Sequence, residues 1–211
     1  MNQINDLITA EELHSLVVAG EVQVVDCRFN FFDIEKGEHD YLLDHIPSAV
    51  YANMDHDLSS SITETSGRHP LPDSNRIHKT LEGWGISDDS HVVVYDEDNG
   101  SLAVRLWWML RHWLGHPYVS VLDGGLKAWT SAGYETSSRE VAPAPGCYTR
   151  LPDDRVVVST QDIVSKIRNG EAADIIDARD ASRFRGENEP VDEVAGHIPG
   201  AKSFPLTLNL K

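Results

Sequence analysis

Apolar and polar positions along the chain follow two periods. After Thr9-Ala-Glu-Glu12, the residues Leu13, Leu16 and Val17 recur at helical spacing. Thr9 and Glu12 form a capping-box pattern, in which the hydroxyl accepts an orphan helix amide and the carboxylate reaches back. Residues 22–27 are a short apolar run that ends in charge, which predicts a buried strand. Residues 50–52 predict a second short strand, and 91–96 the clearest one. Residues 101–113 predict a helix with Leu102, Leu106, Met109, Leu110 and Trp113 on its inner side. Residues 119–122 predict another strand, Gly124-Gly125 a tight strand-to-helix turn, and 126–132 a helix ended by Gly133. Strands alternating with helices, without hairpin signals, give an α/β fold: a mostly parallel central sheet with helices on both faces.

The pattern occurs twice. LITAEELHSLVVAGEVQVVDCR and VVSTQDIVSKIRNGEAADIIDAR match, with Thr9 against Thr160, Asp26 against Asp177 and Arg28 against Arg179, all at an offset of 151. His45-Ile-Pro-Ser-Ala49 matches His197-Ile-Pro-Gly-Ala201 at an offset of 152. A period this long means a duplicated domain, since solenoid units span only about 20–50 residues. The expected organisation is a complete domain over 1–137, a Pro-rich linker over 138–155 and the first part of a second domain over 156–211. At this offset the counterparts of the strands 91–96 and 119–122 lie beyond residue 211. The second copy would then expose Ile175 and Ile176 on a strand with unpaired backbone groups. The expectation is that the remaining C-terminal polypeptide or a second copy of the chain completes it.

Composition narrows the classes. Charged residues make up 25% and apolar residues 40% of the 211, as in ordinary globular proteins. No apolar run approaches the ~18 residues of a spanning helix, so no membrane role is expected. A net charge of −16 repels a phosphate backbone and argues against nucleic acid as a partner. Two cysteines and no signal-peptide pattern point to a cytoplasmic, reducing location.

Ligands of open parallel sheets bind at the carboxyl ends of strands, which here singles out the loop Asp96-Glu-Asp-Asn-Gly100. Its three carboxylates repel an anion and offer no thiol, so it reads as a non-catalytic loop. A metal site on consecutive surface carboxylates is the weaker alternative, and no metal is expected. Cys27 ends an apolar strand and reads as a buried inert thiol, and Cys147 as an incidental exposed one. The recurring Asp26, Arg28 and His45, with Asp177, Arg179 and His197, read as structural ties between strand ends.

The stretches VVDCR, DHIPSAVYAN, GRHPLPD, HVVVYDEDNGSLAVRLWWMLRHWLGH, VSVLDGGLKAW, DIIDARDASRFRGE and AGHIPGAKSFP together resemble the N-terminal part of a tandem rhodanese. This is the thiosulfate/3-mercaptopyruvate sulfurtransferase family. The resemblance implies two α/β domains with a central parallel sheet, and a first copy that carries Asp where the second carries its catalytic Cys. Asp96 matches that inactive position. The implied chemistry is covalent: a loop thiolate takes sulfane sulfur from a small anionic donor and passes it to cyanide or a thiol, with no cofactor. The resemblance aligns Arg183 with an arginine that binds the donor, and His69 and Asp55 with a pair near the cleft in the mercaptopyruvate branch. Glu189-Pro190 precedes Val191, where that branch often has Arg, which tilts the expected donor toward thiosulfate.

Two function classes follow. One is a sulfurtransferase whose given chain lacks the catalytic loop and is inactive alone. The other is a non-catalytic rhodanese-like binding or regulatory module.

Overall fold

A computed structural model describes residues 4–171 and 174–210. The chain divides into two compact units, Met1–Val156 and Val157–Lys211.

The first unit is built on five parallel strands, β1 (Leu7–Ile8), β2 (Gln23–Asp26), β3 (Val50–Tyr51), β4 (Val92–Tyr95) and β5 (Val119–Leu122), in the order β1-β5-β4-β2-β3. β4 lies at the centre, and all four of its residues are buried, as a Val-rich strand covered on both faces must be. On one face α1 (Ala10–Ala19) and α5 (Gly125–Ser131) bring Leu13, Leu126 and Trp129 against Val24, Val93 and Tyr95. On the other, α3 (Ser74–Gly83) and α4 (Ala103–Trp108) bring Ile77, Leu81 and Leu106 against Val25, Val92 and Val94. α2 (Lys36–Leu43) lies between β2 and β3 in the chain and buries only Gly37 and Tyr41.

The capping box of α1 is formed: Thr9 Oγ1 accepts from the Glu12 amide, and Glu12 accepts from the Thr9 amide. The helix predicted over 101–113 is shorter in α form, because its last turn widens into π geometry over Met109–Trp113. That turn carries Met109, Leu110 and Trp113 into the core together. Helices α2 and α3 and strand β1 were not among the predicted elements.

The segment 138–155 is not a free linker. Tyr148 is buried in the core of the first unit, the Gly146 amide donates to the Glu82 carbonyl, and the Asp153 amide donates to the Trp113 carbonyl. One aromatic anchor and these backbone bonds hold a Pro-rich strap to the domain, and the unit boundary falls after Val156.

The second unit holds α6 (Thr160–Arg168), β6 (Ile176–Asp177), α7 (Ala181–Phe184) and β7 (Lys202–Ser203). Its helix cap is Ser159, one residue before the Thr160 that aligns with Thr9. β6 pairs in parallel with β7 in a two-stranded sheet. Ile175 is half-buried and Ile176 is 63% exposed. Among the described residues, no helix of the structure is long and apolar enough to cross a membrane.

Candidate functional site

The carboxyl ends of β2, β4 and β5 define where a site would form in the first unit. Asp96 follows β4 directly and is 2% exposed. Its Oδ1 accepts from the Gly100 amide at 2.9 Å, and its Oδ2 accepts from the amides of Leu102 and Ala103 at 2.8 and 3.2 Å. The loop after the central strand therefore curls its N–H groups around a carboxylate from its own chain. The start of α5 closes the loop from the side: the Leu126 amide donates to the Asp96 carbonyl and the Lys127 amide to the Glu97 carbonyl. This approach explains Gly125, whose φ is +56° and where a Cβ would collide with the Asp96 carbonyl oxygen.

A cleft of about 400 Å³ opens beside the loop, lined by Arg28, Phe29, Lys36, Asp40, Asp44 and Glu97 among others. Its cations are already taken. Arg28 binds Asp26 through both Nε and Nη2, donates to the Asp44 carbonyl, and pairs with Asp44 and Glu97. Burial works against the Arg28 charge, but its hydrogen bonds and attraction to Asp26 outweigh that and raise its pKa. Tyr95 donates to the same Asp26 from the central strand. His45 is buried, stacks on Tyr41, and its ring nitrogens meet the carbonyls of Tyr41 and Arg139. These contacts leave the mouth of the first unit with spoken-for cations and exposed carboxylates, a poor place for an anion.

Neither thiol replaces Asp96. Cys27 is buried at the end of β2, where desolvation, then the charges of Asp26 and Asp96, push its pKa well up. Such a thiol resists forming the nucleophilic thiolate. Cys147 is exposed on the strap.

The structure does bring Asp55 and His69 together, across a long irregular loop between β3 and α3. His69 Nε2 lies 2.9 Å from Asp55 Oδ1. A carboxylate facing a ring nitrogen can only accept, so in the neutral ring Nε2 carries the proton and Nδ1 is the base. Phe29 and Phe31 each place their ring 5.9 Å from the imidazole, Phe29 edge-on.

In the second unit, Arg179 repeats the Arg28 pattern by binding Asp177 and the Gly196 carbonyl. His197 stacks on Phe184 at 3.7 Å and meets its carbonyl oxygen, as His45 does with Tyr41. Arg183 grips Glu189 through Nε and Nη2 and reaches Asp192 at 2.8 Å. The Arg183 bond, helped by the amides of Asp192 and Val191, lowers the Glu189 pKa to about 2. Among the described residues, no group of His, Cys, Asp and Glu is arranged to hold a metal ion.

Three comparisons bear on this arrangement. The family described as the rhodanese-like domain matches residues 9–132. The chain is 41% identical over 206 residues to a Pseudomonas aeruginosa protein named "Probable 3-mercaptopyruvate sulfurtransferase", covering 97% of this chain and 72% of that protein. It is 30% identical to the thiosulfate sulfurtransferase of Gallus gallus, covering 95% of this chain and 70% of that one. The crystal structure of the 3-mercaptopyruvate sulfurtransferase SseA from Escherichia coli superposes with a TM-score of 0.82 at 32% identity, covering 97% of this chain and 76% of SseA.

Proposed function

The chain belongs to the rhodanese family of sulfurtransferases, and we propose that its full-length gene product moves sulfane sulfur from a small anionic donor to cyanide or a thiol through a cysteine persulfide. In this reading Met1–Val156 is the non-catalytic copy. The observation that carries it is Asp96: a buried carboxylate satisfies the loop amides that would otherwise hold a sulfur anion. The resemblance to the family assigns the nucleophile to a cysteine at the second copy's counterpart of Asp96.

Two donors are open, and different residues favour each. Val191 after Glu189-Pro190 favours thiosulfate. The Asp55–His69 pair favours 3-mercaptopyruvate, because only that donor carries a thiol proton. The enzyme thiolate attacks the donor sulfur, the C–S bond breaks, and its electron pair leaves on carbon as pyruvate enolate. His69 Nδ1 can take the proton from the sulfur and return it to that carbon, giving pyruvate and the persulfide. Thiosulfate needs no such step, since its S–S bond breaks to release sulfite directly. Cyanide then attacks the outer persulfide sulfur and restores the thiolate. Arg183 is assigned to the donor's anionic group, with Glu189 and Asp192 as the partners it must exchange.

The test is thiocyanate formation by the full-length gene product with each donor in turn. Turnover with at least one donor, abolished by thiol alkylation, is expected. Absence of turnover with both would contradict the proposal and favour the binding-module reading.

A further inference from the structure

Arg105, half-buried on α4, has no carboxylate partner among the described residues. Its Nε and Nη2 donate to the Leu58 carbonyl at 3.2 and 2.6 Å, and Nη2 also reaches Ser59 Oγ at 3.3 Å and the His69 carbonyl at 3.0 Å. Every acceptor is neutral. Burial lowers the pKa of Arg105, and no opposing charge offsets that cost. What the fork does is join two segments of one loop.

That loop carries the site pair. Residues 52–73 contain no helix or strand, so few backbone bonds fix their course. The Asp55 end is set by an Asx turn, in which Asn53 Oδ1 accepts from the amides of Asp55 and His56. It is anchored by Leu58, which is fully buried. The His69 end is tied back by the Ser60 amide, which donates to the Pro70 carbonyl at 3.0 Å. Arg105 spans the same gap, holding the Leu58 carbonyl, the Ser59 hydroxyl and the His69 carbonyl on one guanidinium. Its own position is set by α4, whose first amides are held by Asp96.

We propose that Arg105 is a positioning residue, whose fork holds the two arms of the 52–73 loop so that Asp55 keeps His69 in a single tautomer with Nδ1 free. This rests on the reading of Asp55 and His69 given above. It links the buried carboxylate after the central strand to the geometry of the imidazole through one helix.

The test reads the ring and not the turnover. Long-range proton–nitrogen spectra of the 211-residue chain, labelled with nitrogen-15, give the two imidazole nitrogen shifts of each of its ten histidines. His69 is assigned by its loss in His69→Gln. In the native chain it should show one protonated Nε2 and one unprotonated Nδ1. In Arg105→Met the two shifts should move toward each other as the tautomers interconvert, while the remaining histidines and the tryptophan fluorescence stay as in the native protein. Arg105→Lys keeps the charge but is too short to reach both arms, and it should behave like Arg105→Met. It decides the matter alone if the methionine variant does not fold. A native His69 pattern in either folded variant would overturn the proposal. Because no donor is present, this outcome is separate from the donor assays, which test whether the Asp55–His69 pair serves the reaction at all.

Discussion

Replacing Asp96 by Ala removes one side chain and strands three amides. Gly100 and Ala103 are buried and Leu102 is half-buried, so water can replace the lost acceptor fully at none of them and partly at one. Each buried donor left without a partner costs about 1–3 kcal/mol. Relief from burying the carboxylate offsets part of this, so a net loss of about 2–4 kcal/mol is expected. All five tryptophans lie between residues 84 and 129, so their fluorescence reports the first unit alone. With a urea m-value of about 1–3 kcal/mol/M, the fluorescence midpoint should fall by roughly 1–2 M with the slope unchanged. Asp98→Ala, at an exposed position in the same loop, is the control and should shift stability by less than about 0.5 kcal/mol. If Asp96→Ala matches that control, the carboxylate does not hold the loop as an internal anion.

Other outcomes follow from the same geometry. The 211-residue chain alone should form no thiocyanate from thiosulfate and cyanide; turnover that persists in a Cys27→Ser, Cys147→Ser variant would refute a thiol mechanism. In the folded chain a disulfide reagent should label Cys147 at once and Cys27 only after denaturant is added, and rapid labelling of both would show the β2 thiol to be accessible. In the full-length gene product Arg183→Ala should lower kcat/KM for both anionic donors by about ten- to a hundredfold, from the roughly 1.5–3 kcal/mol of a charge-assisted contact; unchanged values in a folded variant would place it outside donor binding. Burial, against the bonds of His116 to Ser90 and Tyr118, lowers the His116 pKa below 6.5. The unfolded chain then takes up a proton near pH 6.5 that the native one refuses, so stability is present above that pH and lost as pH falls. The urea midpoint should therefore drop less between pH 7.5 and 5.5 in His116→Gln than in the native chain, and equal drops would refute the assignment.

The sheet was readable because its signals are local. Valine runs ending in charge mark β2 and β4, and Thr9 with Glu12 marks the start of α1. α3 carries a comparable signal, an Asp73 cap followed by Ile77 and Leu81 four apart. α2 offered almost none, since Glu35 makes no cap and only Gly37 and Tyr41 are buried. The strap over 138–155 misleads for a related reason. Its prolines speak of a linker, while its attachment rests on buried Tyr148 and on hydrogen bonds to residues far away in sequence. The site divides in the same way. Asp96 could be placed at a strand end from its neighbours alone, but the pairing of Asp55 with His69 crosses an irregular loop that no periodicity describes. Arg105 falls in a helical pattern between inward Leu102 and Leu106, where an arginine reads as solvated surface, and only the fold shows it turned inward.

In the proposed function the Asp55–His69 pair handles the proton of an organic thiol donor. The most direct measurement is kcat/KM for 3-mercaptopyruvate and for thiosulfate in the full-length gene product, native and His69→Ala. General acid–base catalysis is worth about 10²–10⁴-fold. This proton-handling role predicts a loss in that range for 3-mercaptopyruvate, with thiosulfate transfer changed by no more than about threefold. Equal losses with both donors, or no loss with 3-mercaptopyruvate in the folded variant, would contradict it.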